Sequence, residues 1–172
     1  VKEIYRADTR KVEIYNSEKG KMDLMCVKDC FSYEVYQDHL YISNTGAGFF
    51  FRVSNSRGEV FYDISRSYEK TKISSGDIKK TMAGLREALG EQKFNRNKDN
   101  LIFPEFYPAY GDFSVADGKL YVFSYPAPDR PIVATILDLR GNVLREIEVP
   151  VSWRQIAYES QPHQVYKGKY YY

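Results

Sequence analysis

An all-β fold of antiparallel, four-stranded meanders with one inserted helix is what this 172-residue chain predicts, on three observations. First, between Phe113 and Pro150 four short apolar runs (113–116, 120–125, 132–137 and 143–149) are separated by turn signals: Asp117-Gly118, a proline-rich loop over 126–131, and Arg140-Gly141-Asn142. Asp-Gly between alternating apolar residues is a strong hairpin signal, because positive φ costs little there. Second, landmarks of this stretch recur elsewhere in the chain. Third, helical periodicity is confined to one segment.

Taken in order, residues 1–24 alternate at Ile4, Val12 and Ile14, predicting two outer strands around a turn near 7–10. The Glu18-Lys19-Gly20-Lys21 cluster then turns the chain into a strand over 22–27. From Tyr33 the landmarks begin. Val35 matches Val115, and Leu40-Tyr41 matches Leu120-Tyr121, each five positions later. Arg57-Gly58-x-Val60 matches Arg140-Gly141-x-Val143, and Val165 heads a third, shorter copy ending in Tyr170-Tyr171. The intervals are 80 residues from Val35 to Val115 and 50 from Val115 to Val165. Four-stranded repeats of about 40–50 residues point to propeller blades.

The longer first interval holds the helix. Ile78, Met82, Leu85 and Leu89 form an amphipathic stripe, Ser74-x-x-Asp77 reads as a capping box, and Gly90 as a C-terminal stop. A helix over 75–89 is predicted, its stripe packed on the β-body. Residues 66–100 carry nine Lys/Arg and five Asp/Glu, a mild basic bias that reads as a solvated face. The domain reading is therefore one propeller segment: 1–32 the end of a blade and a linker, 33–65 a blade, 66–111 the helical insertion and loop, 112–150 a blade, and 151–172 a linker and the start of the next.

Composition narrows the function. A net charge of +2 argues against a nucleic-acid partner, and no run of 18 apolar residues exists to span a membrane. The chain opens at Val1 in strand-like sequence without a signal peptide, which suggests a processed or excised segment. Cys26 and Cys30 are too few for a disulfide framework or a four-thiolate zinc site. Reduced structural thiols lead. A disulfide across a bulged segment and a metal or redox role stay open, and with them the compartment.

The VADGKLYV and LDLRGNVLREIEVP elements, led in by FPEFYPAYGDF, resemble blades of bacterial six-bladed β-propeller proteins related in architecture to NHL-repeat propellers. The resemblance covers roughly 33–64 and 101–172. It implies an extracytoplasmic location, secreted, periplasmic or lipid-anchored. It also implies that further blades, or another chain, are needed to close a ring, since two whole blades and two partial ones are countable here.

No enzyme signature stands out: there is no Gly-x-Ser-x-Gly, His-Glu-x-x-His or Walker loop, and Gly46-Ala-Gly48 lacks the third glycine of a dinucleotide fingerprint. Ser54-x-Ser56-x-Gly58-x-x-Phe61 outlines an Asp-box turn with Ser in place of Asp, and reads as hairpin chemistry. His39 and His163 fall at different repeat positions, and Glu105, Asp112 and Asp129 read as solvated loop charges. No catalytic residue, metal site or cofactor is assigned. In a meander the loops that join second to third strands share a face with those leading to the next blade, where binding residues concentrate. That face would gather Tyr107, Tyr110, Tyr125, Arg130 and Trp153, aromatics with an arginine, the composition of recognition surfaces. The structural alternative is that Tyr107, Tyr110 and Trp153 plug the gap between blades. The functional expectation is a non-enzymatic module or scaffold that binds a protein, peptide or carbohydrate. Its rivals are a hydrolase or lyase whose site lies partly in absent blades, and a structural subunit of a larger assembly.

Overall fold

The computed structural model describes residues 13–16, 21–150, 164–166 and 169–171. In chain order the strands are β1 (Glu13–Asn16), β2 (Lys21–Met25), β3 (Phe31–Tyr36), β4 (His39–Asn44), β5 (Phe49–Asn55) and β6 (Val60–Arg66). Helices α1 (Ser75–Leu89) and α2 (Glu91–Asn97) follow, then β7 (Leu101–Ile102), β8 (Asp112–Ala116), β9 (Lys119–Phe123), β10 (Ile132–Asp138), β11 (Val143–Val149), β12 (Gln164–Tyr166) and β13 (Lys169–Tyr171). The described residues divide into two units. One holds 29–69, 108–150 and the β12–β13 hairpin; the other holds 13–16, 21–28 and 70–107. The helical insertion thus falls in one unit with β1 and β2.

In the first unit, β3–β6 and β8–β11 are each a four-stranded antiparallel meander. Their registers agree residue for residue. Val35 pairs Leu40 as Val115 pairs Leu120, and Tyr41 pairs Val53 as Tyr121 pairs Ile136. Both meanders slip register at the matching place, after Val53 and after Ile136. A bulge of this kind bends and twists the outer hairpin, so its repetition gives the two sheets the same curvature. The turn beyond it is also built twice. Asn55 Oδ1 accepts the N–H groups of Arg57 and Glu59 at 2.9 and 3.0 Å, and Asp138 Oδ1 those of Arg140 and Asn142, both at 2.9 Å. This is the Asx geometry that Asn and Asp supply at turns. In the second copy, bonds from the Asn142 side chain and the turn N–H groups hold the Asp138 carboxyl below the usual carboxylate range. The third copy keeps the register, with Val165 opposite Tyr170 across β12 and β13.

The two meanders share one core. Tyr41, Phe51, Val53 and Ile64 from the first meet Phe113, Val115, Leu120, Val122 and Leu137 from the second. Each such side chain contributes about 1.5–3 kcal/mol when fully buried. Phe51 sets its ring edge against Phe113, with centroids 5.1 Å apart. Polar contacts fix the offset. Glu34 accepts the Val115 N–H at 2.5 Å, and the Tyr36 hydroxyl accepts the Gly118 N–H at 2.8 Å. The Tyr62 hydroxyl donates to the Leu139 carbonyl at 2.9 Å. The opposite face of the β8–β11 sheet is buried too, through Tyr121, Phe123, Ile132, Ala134, Ile136 and Val149.

In the second unit, α1 begins as expected. Ser74 Oγ accepts the Asp77 N–H, and Asp77 Oδ2 accepts the Ser74 N–H, both at 3.0 Å, a reciprocal capping box. Gly90 ends the helix, its N–H bonded to the Arg86 carbonyl. The stripe is shallower than its spacing suggested: Ile78, Met82 and Leu85 are half-buried and Leu89 is exposed. A second helix, α2, buries Phe94 under the Arg86 guanidinium. The expected turn near 7–10 lies outside the described residues, and the strand expected over 22–27 is β2. β1 and β2 form a hairpin, but β2 pairs parallel with the two-residue β7, Leu24 opposite Leu101. Among the described residues no helix is long and apolar enough to cross a membrane.

Gly141 tests the seating of the sheets. Its φ is +91°, and a Cβ there would lie 2.5 Å from Ile64 Cγ2 of the other meander. Gly118 also has positive φ, +69°, but nothing lies within 4 Å of its Cβ position. Gly118→Ala is expected to cost only the left-handed backbone penalty, about 1–2 kcal/mol. Gly141→Ala should add an overpacking cost of about 1–3 kcal/mol. Urea unfolding of the two variants checks this, and equal losses would contradict the seating.

Candidate functional site

The two meanders turn their tight hairpins to one end and their longer connections to the other. At the long-loop end lie the 3-10 turn Thr45–Ala47 and, in the matching place, residues 124–131. This end is ordered by a buried polar cluster that brings together positions far apart in sequence. Cys30 N–H donates to Thr45 Oγ1 at 2.7 Å, and Thr45 N–H returns a bond to the Cys30 carbonyl at 3.0 Å. Thr45 Oγ1 in turn donates toward Asp29 Oδ1 at 3.4 Å. Asn44 caps the turn, its side chain accepting the Gly46 N–H at 3.0 Å. Asp29, Ser43, Asn44 and Thr45 are all buried.

Tyr110 closes the cluster from the other side. Its hydroxyl lies 2.8 Å from the Phe50 carbonyl and 3.1 Å from Ser43 Oγ. A phenol has one proton, and the carbonyl can only accept, so Tyr110 donates to Phe50 and Ser43 donates to Tyr110. Ser43 Oγ then has lone pairs for the Cys30 thiol, 3.6 Å away; Ser32 Oγ lies 3.5 Å from the same sulfur. Ser43 thus links the Cys30 thiol to Tyr110, and Tyr110 bonds the Phe50 carbonyl. Burial pushes the Cys30 thiol above its ordinary pKa, bonds from Ser32 and Ser43 offset this in part, and the charges of Asp112 and Asp29 push it further up. The proton therefore stays on sulfur at neutral pH, which disfavours the reactive thiolate. Cys26, in the second unit, is likewise pushed up to about 11, chiefly by burial. Neither cysteine is in a disulfide.

The five aromatic and arginine residues picked out by the sequence fall in different places. Tyr110 is 1 % exposed, with its ring stacked on Phe51 at 4.9 Å, so it belongs to the core and not to a contact surface. Its neighbour Gly111 bonds through N–H to the Phe123 carbonyl, which places Tyr110 beside the start of the 124–131 loop. That loop carries Tyr125, half-buried, and Arg130, exposed, after Asp129 at φ +56°. Tyr107 is buried in the second unit, its N–H bonded to the Thr71 carbonyl. Trp153 lies outside the described residues. His39 opens β4 beside the Gln37–Asp38 turn, with Nδ1 2.6 Å from the Gln37 carbonyl and its ring against Phe61. Among the described residues no group of three or more His, Cys, Asp or Glu could hold a metal ion. The cluster of Asp29, Cys30, Ser43 and Thr45 went unseen in the sequence, because nothing in their spacing signals that strand pairing will bring them together.

No family model, curated protein or solved structure matches the chain.

Two measurements check this arrangement. Tyr110→Phe leaves the Phe50 carbonyl and Ser43 short of a partner in a buried setting, and should cost about 1–3 kcal/mol in chemical unfolding. A loss within error of zero would contradict the Tyr110 bonds to Ser43 and Phe50. The raised Cys26 pKa also sets a pH dependence. A thiol that holds its proton more tightly when folded stabilises the fold fully below the unfolded pKa of about 8.5. That stabilisation is lost as pH rises through about 11. Alkylation of Cys26 should thus be slow at pH 7 in the folded protein and accelerate only above pH 9. Rapid labelling at neutral pH would contradict it.

Proposed function

We propose that this chain is a non-enzymatic binding or scaffold module of the propeller type, in which stacked meanders hold a ligand-recognition edge in place. The single observation that carries this reading is the placement of the first strands. β3 lies beside β8, and β8 beside β12, so three successive repeats bring their first strands side by side. A radial array has this arrangement, and it places the loops of successive repeats at one rim. The six-bladed form belongs to this proposal as well, on the family resemblance of the two long blades.

The recognition edge is the long-loop end of the first unit. The Cys30–Thr45 and Tyr110–Ser43 bonds immobilise the backbone there, and immobile loops lose less entropy when a ligand docks. Tyr125, half-buried, and Arg130, exposed, belong to the 124–131 loop at this end, and Trp153 is the third anchor the composition suggests. Tyr and Arg, with Trp, are the side chains that dominate many interfaces, which suits a protein, peptide or carbohydrate partner.

The test uses glycan and peptide arrays probed with the full chain. Arg130→Ala or Trp153→Ala should weaken retained binding by about 2 kcal/mol or more, with little change in melting. Lys119→Ala, at the opposite end, should leave binding intact. Loss of binding with Lys119→Ala alone would place recognition at the wrong end, and turnover of a lactone, glycoside or peptide panel would favour the hydrolase reading.

A further inference from the structure

One arginine of the first meander stands where the second repeat buries an apolar side chain. Across β5 and β6, Phe49 lies opposite Arg66; at the matching register of the second meander, Ile132 lies opposite Val149. Ile132 and Val149 are buried, whereas Phe49 is half-buried and Arg66 exposed. Arg66 shares its face of the sheet with Ile64, two residues earlier, which belongs to the core between the meanders. The arginine therefore sits where that core opens at the long-loop end. Its guanidinium lies over the Phe49 ring, 5.8 Å from the centroid. On the same two strands Arg52 is neutralised by Asp63 through bonds of 2.8 and 2.7 Å. Among the described residues Arg66 has no such carboxylate.

An aromatic ring is held beside it. Gly48 has φ +93°, and a Cβ there would lie 3.2 Å from Tyr68 Cε1, so the glycine gives the Tyr68 ring its seat. Tyr68 is half-buried, and its hydroxyl makes no hydrogen bond among the described residues. Arg66 and Tyr68 thus rest on adjacent residues, Phe49 and Gly48. Phe49 in turn packs edge-on against Tyr110, with centroids 5.3 Å apart. Gly111, next in the chain, approaches the backbone of Tyr125 so closely that a Cβ would lie 3.1 Å from its Cα. Packed contacts therefore connect Arg66 to the loop that carries Tyr125 and Arg130.

We infer that Arg66 and Tyr68 form a subsite for the carboxylate of an acidic saccharide, a uronic acid residue of the chain that the ligand edge takes. This rests on the ligand-edge reading above. A guanidinium stacked on a ring keeps its planar fork of N–H groups for a carboxylate, which it can bond twice. A lone cation suits a monoanion. The Tyr68 ring adds an apolar face, and its hydroxyl a polar atom, the mixture that small-molecule sites combine. An extended peptide would look for main-chain donors, but the N–H groups of Thr45, Gly46, Gly48, Gly111 and Ser124 are all bonded internally. A saccharide needs side chains only.

Titration calorimetry on the full chain tests it, with galacturonate, glucuronate and mannuronate oligosaccharides, each as the free acid and as its methyl ester. At least one acid should bind, and its ester about tenfold or more weakly, since esterification removes the charge and keeps the sugar. Arg66→Gln should bring the acid down to the affinity of the ester and leave the ester unchanged. Arg66→Lys should restore only part of the difference, because it keeps the charge without the fork. Tyr68→Ala should weaken acid and ester alike. The acid-to-ester ratio on one sample does not depend on how much of it is folded, so a lowered melting temperature would not mask the result. Acids that bind no better than their esters, full affinity in Arg66→Gln, or polyglutamate or a sulfated oligosaccharide bound as tightly as the uronates would each overturn the inference. Glycan binding lost with Arg130→Ala but kept in Arg66→Gln would overturn this subsite and leave the ligand edge standing; no retention of any glycan or peptide would end both.

Discussion

A meander of four short strands has two faces and cannot stand alone in water with both exposed. The first unit answers this by laying one meander on the next, so the contact between β3–β6 and β8–β11 is the constraint on which the rest depends. Its apolar part, Phe51 and Tyr41 on Phe113, Val115 and Leu120, is nondirectional and would tolerate sliding. The polar part would not. Glu34, Tyr36 and Tyr62 bond to backbone groups at three separate places on the second sheet, and one residue of slip would lose them all. Glu34 has a further role: β8 is an edge strand, and its carboxylate occupies an N–H that would otherwise be open to another chain.

The same seating explains why the long-loop end is rigid. Tyr110 enters the core between the sheets, stacks on Phe51, and directs its hydroxyl to the end of β4 and the start of β5. The connection after β4 is thereby tied to the segment leading into β8. Cys30, Thr45 and Asp29 tie the same connection to the start of β3. The connection after β4 is thus held from two sides.

Much of this was legible in the sequence, and the reasons are specific. Val35, Val115 and Val165 marked equivalent strands because turn chemistry and cross-strand register are local, and Asp117-Gly118 or Arg140-Gly141-Asn142 announce them. Ser74 and Gly90 marked the ends of α1 for the same reason. The misses are non-local or lack a signature. Gln37 and Asp38 make a hairpin turn at φ +48° and +61° without a glycine. The helix α2 buries a single side chain, Phe94, so it shows no stripe. The parallel partnership of β2 with β7 joins segments more than seventy residues apart. Tyr110 looked like a surface aromatic because a loop tyrosine reads the same whether its ring faces solvent or core. The Cys30–Thr45 cluster exists only once β3 and β4 pair.

The central claim is that the two meanders face one another through a specific, shared core. A double-mutant cycle on Phe51 and Phe113, whose ring centroids are 5.1 Å apart, addresses it most directly. Phe51→Leu and Phe113→Leu would be measured by chemical unfolding singly and together. The account predicts a coupling of about 0.5–1.5 kcal/mol, as edge-to-face aromatic pairs give. Additive losses, with no coupling beyond error, would mean that the two sheets do not meet as described.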